Sequence, residues 1–241
     1  MDWTAWRNHF EENARRPLPR IAADAPPQWR GVLVHSLARF QIGEVGEGSI
    51  AHRIYRVSLP HIDDDYRIAV GLFVREEGRH ARVLAEMVRA LGGELLRHTW
   101  TRRLFGVRRL AGVRFKLLVL LAAEVIGIGF YSMIAGALPP GKMRAALEEI
   151  AGDEDFHLRF HCDFFRPMCS GAPARWAFRA GWWPVASAAA LAVLWDHRRT
   201  LDALGIGRAA AARRLFALVA RADRAITAPA RPRSFAAPAV S

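Results

Sequence analysis

An all-α fold, a four-helix bundle with extra helices at both ends, is predicted by three features of this 241-residue sequence. Ala, Leu, Arg and Glu dominate long stretches, while strand-like alternation is nearly lacking. Within those stretches apolar residues recur at three- and four-residue steps, the period of one helix face. Pro and Gly clusters then divide the chain into helix-sized pieces. Hydrophobic residues make up 52% of the chain, enough for a sizeable core, and no internal linker argues for a second domain.

The elements follow in order. Residues 2–15 suit a short amphipathic helix carrying Trp3, Trp6 and Phe10. A connector with Pro17, Pro19, Pro26 and Pro27 follows, so 1–30 reads as an N-terminal extension. The first long helix is expected over 28–58, with Leu33, Leu37, Phe40, Glu44, Glu47, Ala51 and Ile54 facing inward. Pro60 stops it, and Asp63 or Asp64 can cap the next. The second helix runs to about Leu91, where Gly92 and Gly93 end it. Its inward face is Tyr66, Val70, Phe73, Glu77, His80, Leu84 and Met87. A basic segment, 97–109, is long enough to cross the bundle. The third helix, 110–137, puts Leu117, Leu120, Glu124, Gly127, Tyr131 and Ile134 on one face before Leu138-Pro139-Pro140-Gly141 breaks it. The fourth, 142–166, does the same with Leu147, Ile150, Glu154, His157, His161 and Phe165, and Pro167 ends it.

Beyond the bundle, assigned to 31–167, additional C-terminal helices over 168–227 are expected to pack on it. The fifth helix, 174–204, is nearly apolar over 180–195. Its apolar run is too short for a confident transmembrane span. It suits a helix buried against the bundle or a dimer partner, with a membrane-interface position as the rival. Gly205-Ile206-Gly207 separates it from a last basic amphipathic helix. The Pro/Ala/Ser-rich stretch 228–241 reads as a disordered tail.

Net charge is +12, almost all from arginine. The basic residues are scattered and no recognition motif accompanies them, which favours a composition bias over a nucleic-acid partner. The two cysteines, Cys162 and Cys169, have neither C-x-x-C nor zinc spacing. Seven residues apart on one helix they sit about 10 Å apart, too far for a disulfide, and lone thiols suit a reducing cytoplasm. The N-terminus is acidic and aromatic, unlike a signal peptide.

Chemistry is carried by two copies of Glu-x-x-His, Glu77-Gly-Arg-His80 and Glu154-Asp-Phe-His157. Residues i and i+3 share a helix face, so each copy aims a carboxylate and an imidazole at one point. A lone inward glutamate precedes each copy by one helical hairpin. It is Glu124 for the second and Glu47, with Glu44 as rival, for the first. Glu47 to Glu77 and Glu124 to Glu154 are both 30 residues, which favours Glu47 and describes an internal pseudo-repeat. An isolated Glu-x-x-His is a weak signal. Its strength here is position, because a carboxylate on an apolar face is costly unless paired or metal-bound. Glu124 stands in the run Lys116-Leu-Leu-Val-Leu-Leu-Ala-Ala-Glu-Val-Ile-Gly-Ile-Gly-Phe130, whose helix offers no cation between Lys116 and Lys142. Four carboxylates and two imidazoles converging in a bundle form a ligand set for two transition-metal ions.

On these residues, roughly from Gly31 to Pro167, the chain resembles the ferritin-like superfamily of carboxylate-bridged di-iron proteins. The resemblance rests on Gly43-Glu44-Val-Gly-Glu47-Gly, Glu76-Glu77-Gly-Arg-His80, Ala123-Glu124-Val and Asp153-Glu154-Asp-Phe-His157-Leu-Arg-Phe-His161. It is strongest to bacterial ferritin-like proteins of uncharacterised activity. It implies two iron ions, or a manganese–iron pair. Glu47 (or Glu44) and Glu124 become terminal or bridging ligands, Glu77 and Glu154 bridge, and His80 and His157 each hold one metal. His161, one turn past His157, is similar to the third histidine of arylamine N-oxygenases. In those enzymes, however, that histidine precedes the last Glu, at the place of Ile150 here, which favours an outer or core histidine. Tyr131, Tyr66 and Asp153 are candidates for hydrogen bonds to ligands, with core packing (the tyrosines) or a solvated acid (Asp153) as alternatives.

The resemblance implies an O2-dependent di-iron oxygenase or oxidase acting on an organic substrate. With no rubredoxin-like cysteine pairs, electrons would come from a separate reductase or ferredoxin. The rival readings are an iron-handling ferroxidase, storage or peroxide-detoxifying protein, and a metal-free helical binding module. Glycines beside the acids (Gly43, Gly46, Gly48, Gly127, Gly129) suit either a channel or close helix packing. A cytoplasmic homodimer, with peripheral membrane contact as an option, completes the expectations.

Overall fold

The computed structural model of the chain describes residues 2–45, 54, 58–96 and 112–228. Among these residues the fold is all-helical, a helical bundle with no strand. Its α-helices are α1 (Trp3–Asn13), α2 (Arg30–Val45), α3 (Asp64–Ala90), α4 (Val113–Ala137), α5 (Lys142–Phe165), α6 (Ala172–Asp196), α7 (Arg198–Ala203) and α8 (Arg208–Thr227). The first long helix is thus described from Arg30 to Val45 and is helical again at Ile54. The basic crossover, the residues around Glu47 and the tail from 229 onward lie outside the described residues.

Local chemistry sets the helix boundaries. Asp2 caps α1 by accepting from the Ala5 N–H, and Trp3, Trp6 and Phe10 bury the resulting stripe. Asp63 caps α3 through the Tyr66 N–H, and Asp64 and Asp65 in the first turn complement the helix dipole. The N-terminus of α5 is capped from a distance. Asp24, in the Pro-rich connector, accepts from the backbone N–H groups of Lys142 and Met143. Gly141 makes this contact feasible, since a Cβ there would lie 2.5 Å from an Asp24 carboxylate oxygen.

The apolar core is divided in two. One half gathers Trp3, Phe10, Phe73, Leu121 and Phe160. The other gathers Leu33, Leu84, Phe130, Ile134 and Leu147. On α3, α4 and α5 the change from one half to the other falls at Glu77–His80, Glu124 and Glu154–His157. The polar layer of the bundle therefore sits between two dry plugs.

The C-terminal helices pack on α4 and α5. Trp182 donates from Nε1 to the Val219 carbonyl at 3.1 Å, and Arg179 meets Asp223 at 2.9 Å, tying α6 to α8. The helix expected as one piece over 174–204 breaks at His197, where the chain turns so that α7 can reach α2. There Ser36 sits 2.7 Å from both His197 Nδ1 and Thr200 Oγ1. The expectation that the fifth helix is buried holds for one side of it, Trp182, Ala186 and Ala190. Among the described residues the other side is open, because α4 and α8 occupy only one flank.

Candidate metal centre

Four helices bring the predicted residues together. α3 contributes Glu77 and His80, α4 Glu124, α5 Glu154 and His157, and α2 Glu44. Glu77, His80, Glu124, Glu154 and His157 are all buried, the two histidines completely. One ligand atom from each of Glu77, His80, Glu154 and His157 lies within 4.8 Å of the others.

Both rings turn the same way. His80 Nδ1 lies 3.2 Å from a Glu154 oxygen and 3.8 Å from Glu77. His157 Nδ1 lies 2.9 Å from Glu77, 3.2 Å from Glu154 and 3.5 Å from Glu124. Each Nε2 points outward to a carboxylate of the opposite motif, His80 to Asp153 and His157 to Glu76, both at 3.2 Å. Glu76 and Asp153 immediately precede the acids of the two motifs, so the exchange is reciprocal and makes the halves pseudo-equivalent. Arg16 joins the two outer acids, donating to Glu76 at 2.8 Å and to Asp153 at 2.7 Å. Arg79 stands alongside, its guanidinium donating to the Pro17 carbonyl and to Glu149.

Burial and crowding of like charges set the protonation. Burial, with Glu154 and Glu124 nearby, pushes Glu77 up to about 8. Burial and the same kind of repulsion raise Glu154, and raise Glu44 well above the usual carboxylate range. Burial opposes charge on His80, yet its bonds to Asp153 and Glu154 carry it up to about 10. The same contest holds His157 well above an ordinary histidine. Against the burial penalty, Glu76 is held low by His157, and Asp153 by His80 and then Arg16. Burial and mutual repulsion thus raise Glu44, Glu77 and Glu154, whereas Glu76 and Asp153 are lowered, despite burial, by the histidine, and for Asp153 also the arginine, bonded to them.

The donor set fits metal ions. Glu77 Oε1, His80 Nδ1, Glu124 Oε1 and Glu154 Oε1 are buried in the inner layer with no well-aligned hydrogen bond, and their close polar neighbours are the acids and histidines of the same cluster. Buried polar atoms are normally well hydrogen-bonded, so a cluster of inward ligand atoms without aligned bonds is one that a cation could satisfy. Mixed carboxylate and imidazole donors suit iron or manganese. The fixed outward Nε2 contacts are what orients a ligand histidine.

The remaining candidates divide. Glu44 is the first-helix acid that the described residues bring to the centre. It accepts from the Tyr131 hydroxyl and neighbours Glu77. Glu47 lies outside the described residues. His161 is buried, 3.5 Å from a Glu124 oxygen, with neither ring nitrogen hydrogen-bonded. Burial and the neighbouring His157 drive it down to about 3, so it is neutral. Tyr66 packs between Trp3 and Phe160 and takes no part in the centre. Of the two alternatives for Asp153, a bond to a cluster histidine and a solvated acid, the structure has the first: it is buried and bonded to His80. Gly127 lies beside Glu154, where an added Cβ would make ordinary contact at 3.5 Å. Gly129 is filled by Leu215 and is a packing position, leaving no channel there.

Sequence reasoning missed Arg16 and the pairing of Glu76 with His157. The doublets Glu76-Glu77 and Asp153-Glu154 carried a signal, because the residue before an inward acid lies about 100° round the helix, toward the neighbouring helix. Arg16 had none, since it arrives from an irregular connector. No protein-family model matches the chain, and no curated protein or solved structure is significantly similar to it. What stands is a helical bundle with a buried carboxylate–histidine cluster compatible with a di-iron site.

Proposed function

We propose that this chain is a di-iron oxygenase or oxidase of the ferritin-like kind, using dioxygen on a small organic substrate with electrons from a separate reductase. The reading is carried by one observation. Ligand atoms of Glu77, His80, Glu154 and His157 converge within 4.8 Å of one another at one buried point, and inward atoms of Glu77, His80, Glu124 and Glu154 have no well-aligned hydrogen bond there. Glu44, Glu77, His80, Glu124, Glu154 and His157 would hold the metals, with Glu47 as the alternative to Glu44. Two iron ions held there supply paired one-electron chemistry toward dioxygen.

The protein's own residues prepare that site. Asp153 and Glu76 accept from each Nε2, which keeps both Nδ1 atoms turned inward, where they would bind metal once deprotonated. The apolar plugs exclude water from both ends. Glu44 is half-buried and lines an open groove of about 520 Å³ between α2 and α3, along with Gln41, Gly78, Ala81 and Arg82. That groove gives a small molecule an approach to an acid of the centre. With two buried cysteines and no cysteine cluster in the chain, reducing equivalents are assigned to a partner protein.

Iron loading under anaerobic conditions tests the reading. A pair of irons per chain, followed by a di-iron absorption band on exposure to O2, is the expected result. Loss of bound iron in Glu77→Ala and Glu154→Ala ties it to these residues. Protein that binds no metal, or variants with unchanged iron content, would overturn the assignment. A large excess of iron per chain would favour storage.

A further inference from the structure

One side of α6 is uncovered by any described residue. Trp176, Ala180, Pro184, Ala188, Leu191 and Trp195 follow each other at steps of four and three and are all exposed. Trp176 is 74% exposed, Leu191 58% and Trp195 71%. Arg179 is the only charged residue among the exposed positions of this stretch, and it turns aside onto Asp223. The opposite side, with Trp182, Ala186 and Ala190, is packed into the protein. The helix is therefore held side-on, and crossing a bilayer would strip away those contacts.

The ends of the face are basic and aromatic. Arg175 lies in the first turn, and Arg198 and Arg199 follow the last. The Arg198 guanidinium lies 4.3 Å over the Trp195 ring and donates to the Trp195 carbonyl. From Trp176 to Trp195 the face runs about 28 Å. An indole offers an apolar body with one polar N–H, which suits the boundary between lipid chains and headgroups. Arginines at the ends of an uncharged face are placed to meet phosphates.

We propose that this face of α6 is a docking surface for an anionic lipid bilayer, on which the protein lies without spanning it. A second copy of the chain is the competing occupant, and charge argues against it. Each copy carries a net +12, and face-to-face pairing would add one set of arginines to another. A bilayer rich in phosphatidylglycerol supplies the opposite charge and accepts the apolar stripe at once.

Sedimentation of the full chain with phosphatidylglycerol vesicles tests this. Binding is expected, with much weaker binding to phosphatidylcholine vesicles. The double substitution Trp176→Ser and Trp195→Ser should lower partitioning at least tenfold while leaving circular dichroism unchanged. Arg198→Glu with Arg199→Glu should reduce binding to the anionic vesicles alone. The proposal is overturned if phosphatidylglycerol vesicles do not bind the chain. It is equally overturned if the tryptophan variant binds undiminished, which would make general positive charge the cause. A concentration-dependent dimer abolished by the tryptophan substitutions, with no vesicle binding, would assign the face to a second copy instead.

Discussion

Arg16 acts on the cluster from outside the proposed ligands. It holds Glu76 and Asp153, which in turn hold the outer nitrogens of His157 and His80. Replacing it with Gln leaves two buried acids competing with the inner layer for protons. Metal affinity is expected to fall about 10- to 100-fold, the usual effect of losing an outer partner. A metal titration of folded Arg16→Gln checks this, and unchanged affinity would mean that the histidines orient without it. Two further substitutions decide which acid of the first long helix serves the centre. Glu44 touches Tyr131 and neighbours Glu77. Glu44→Ala should therefore lose bound iron while Glu47→Ala retains it; the opposite result would restore the 30-residue pseudo-repeat. Most of these acids and histidines were legible in the sequence, because an ionisable group on an apolar helical face is conspicuous. Arg16 was not, since no periodicity governs a Pro-rich connector.

At the scale of elements, the contact of α2 with the α6–α7 turn makes stability depend on pH. His197 is buried, and burial lowers it to about 4; Asp196 opposes this, while His35 and Arg39 reinforce it. Its folded value lies below the unfolded value of 6.5, so the unfolded chain takes up the proton first as pH falls. Its stabilising effect is complete above about 6.5 and is lost between there and about 4. Between pH 7 and pH 5 the chain should lose about 2 kcal/mol more than His197→Gln, in urea unfolding followed at both pH values. The packing of α4 on α8 gives a second test. A Cβ on Gly129 would lie 2.4 Å from a methyl of the fully buried Leu215. Gly129→Ala should destabilise by about 1–3 kcal/mol, as overpacking does, with iron content unchanged. If iron content falls instead, the glycine serves the centre rather than the seam.

For the whole molecule, the divided core and the buried polar layer act against each other. The inner acids crowd together with few well-aligned hydrogen bonds, a cost offset by the apolar plugs on either side. On the proposed reading, ferrous or manganous ion should raise the melting temperature of the chain, increasingly so with concentration. Calorimetry with and without the metal checks this. An unchanged melting temperature at saturating metal would remove the reason for the cluster. The same scale explains why the N-terminal helix belongs with the bundle. Phe10 contacts Phe73 and His157, so α1 seals the centre that Arg16 orders.

The sequence by itself determined the helices, most of their ends, and the candidate ligands on their inward faces. These depend on local capping, on Pro and Gly, and on a 3.6-residue period that one chain segment can display alone. Tertiary structure decided the rest. It chose the partners of Glu76, Asp153 and Arg16, brought Glu44 to the centre, and left one side of an apolar helix facing outward. Each of these depends on which surfaces meet across long separations in the chain, and no local pattern encodes that.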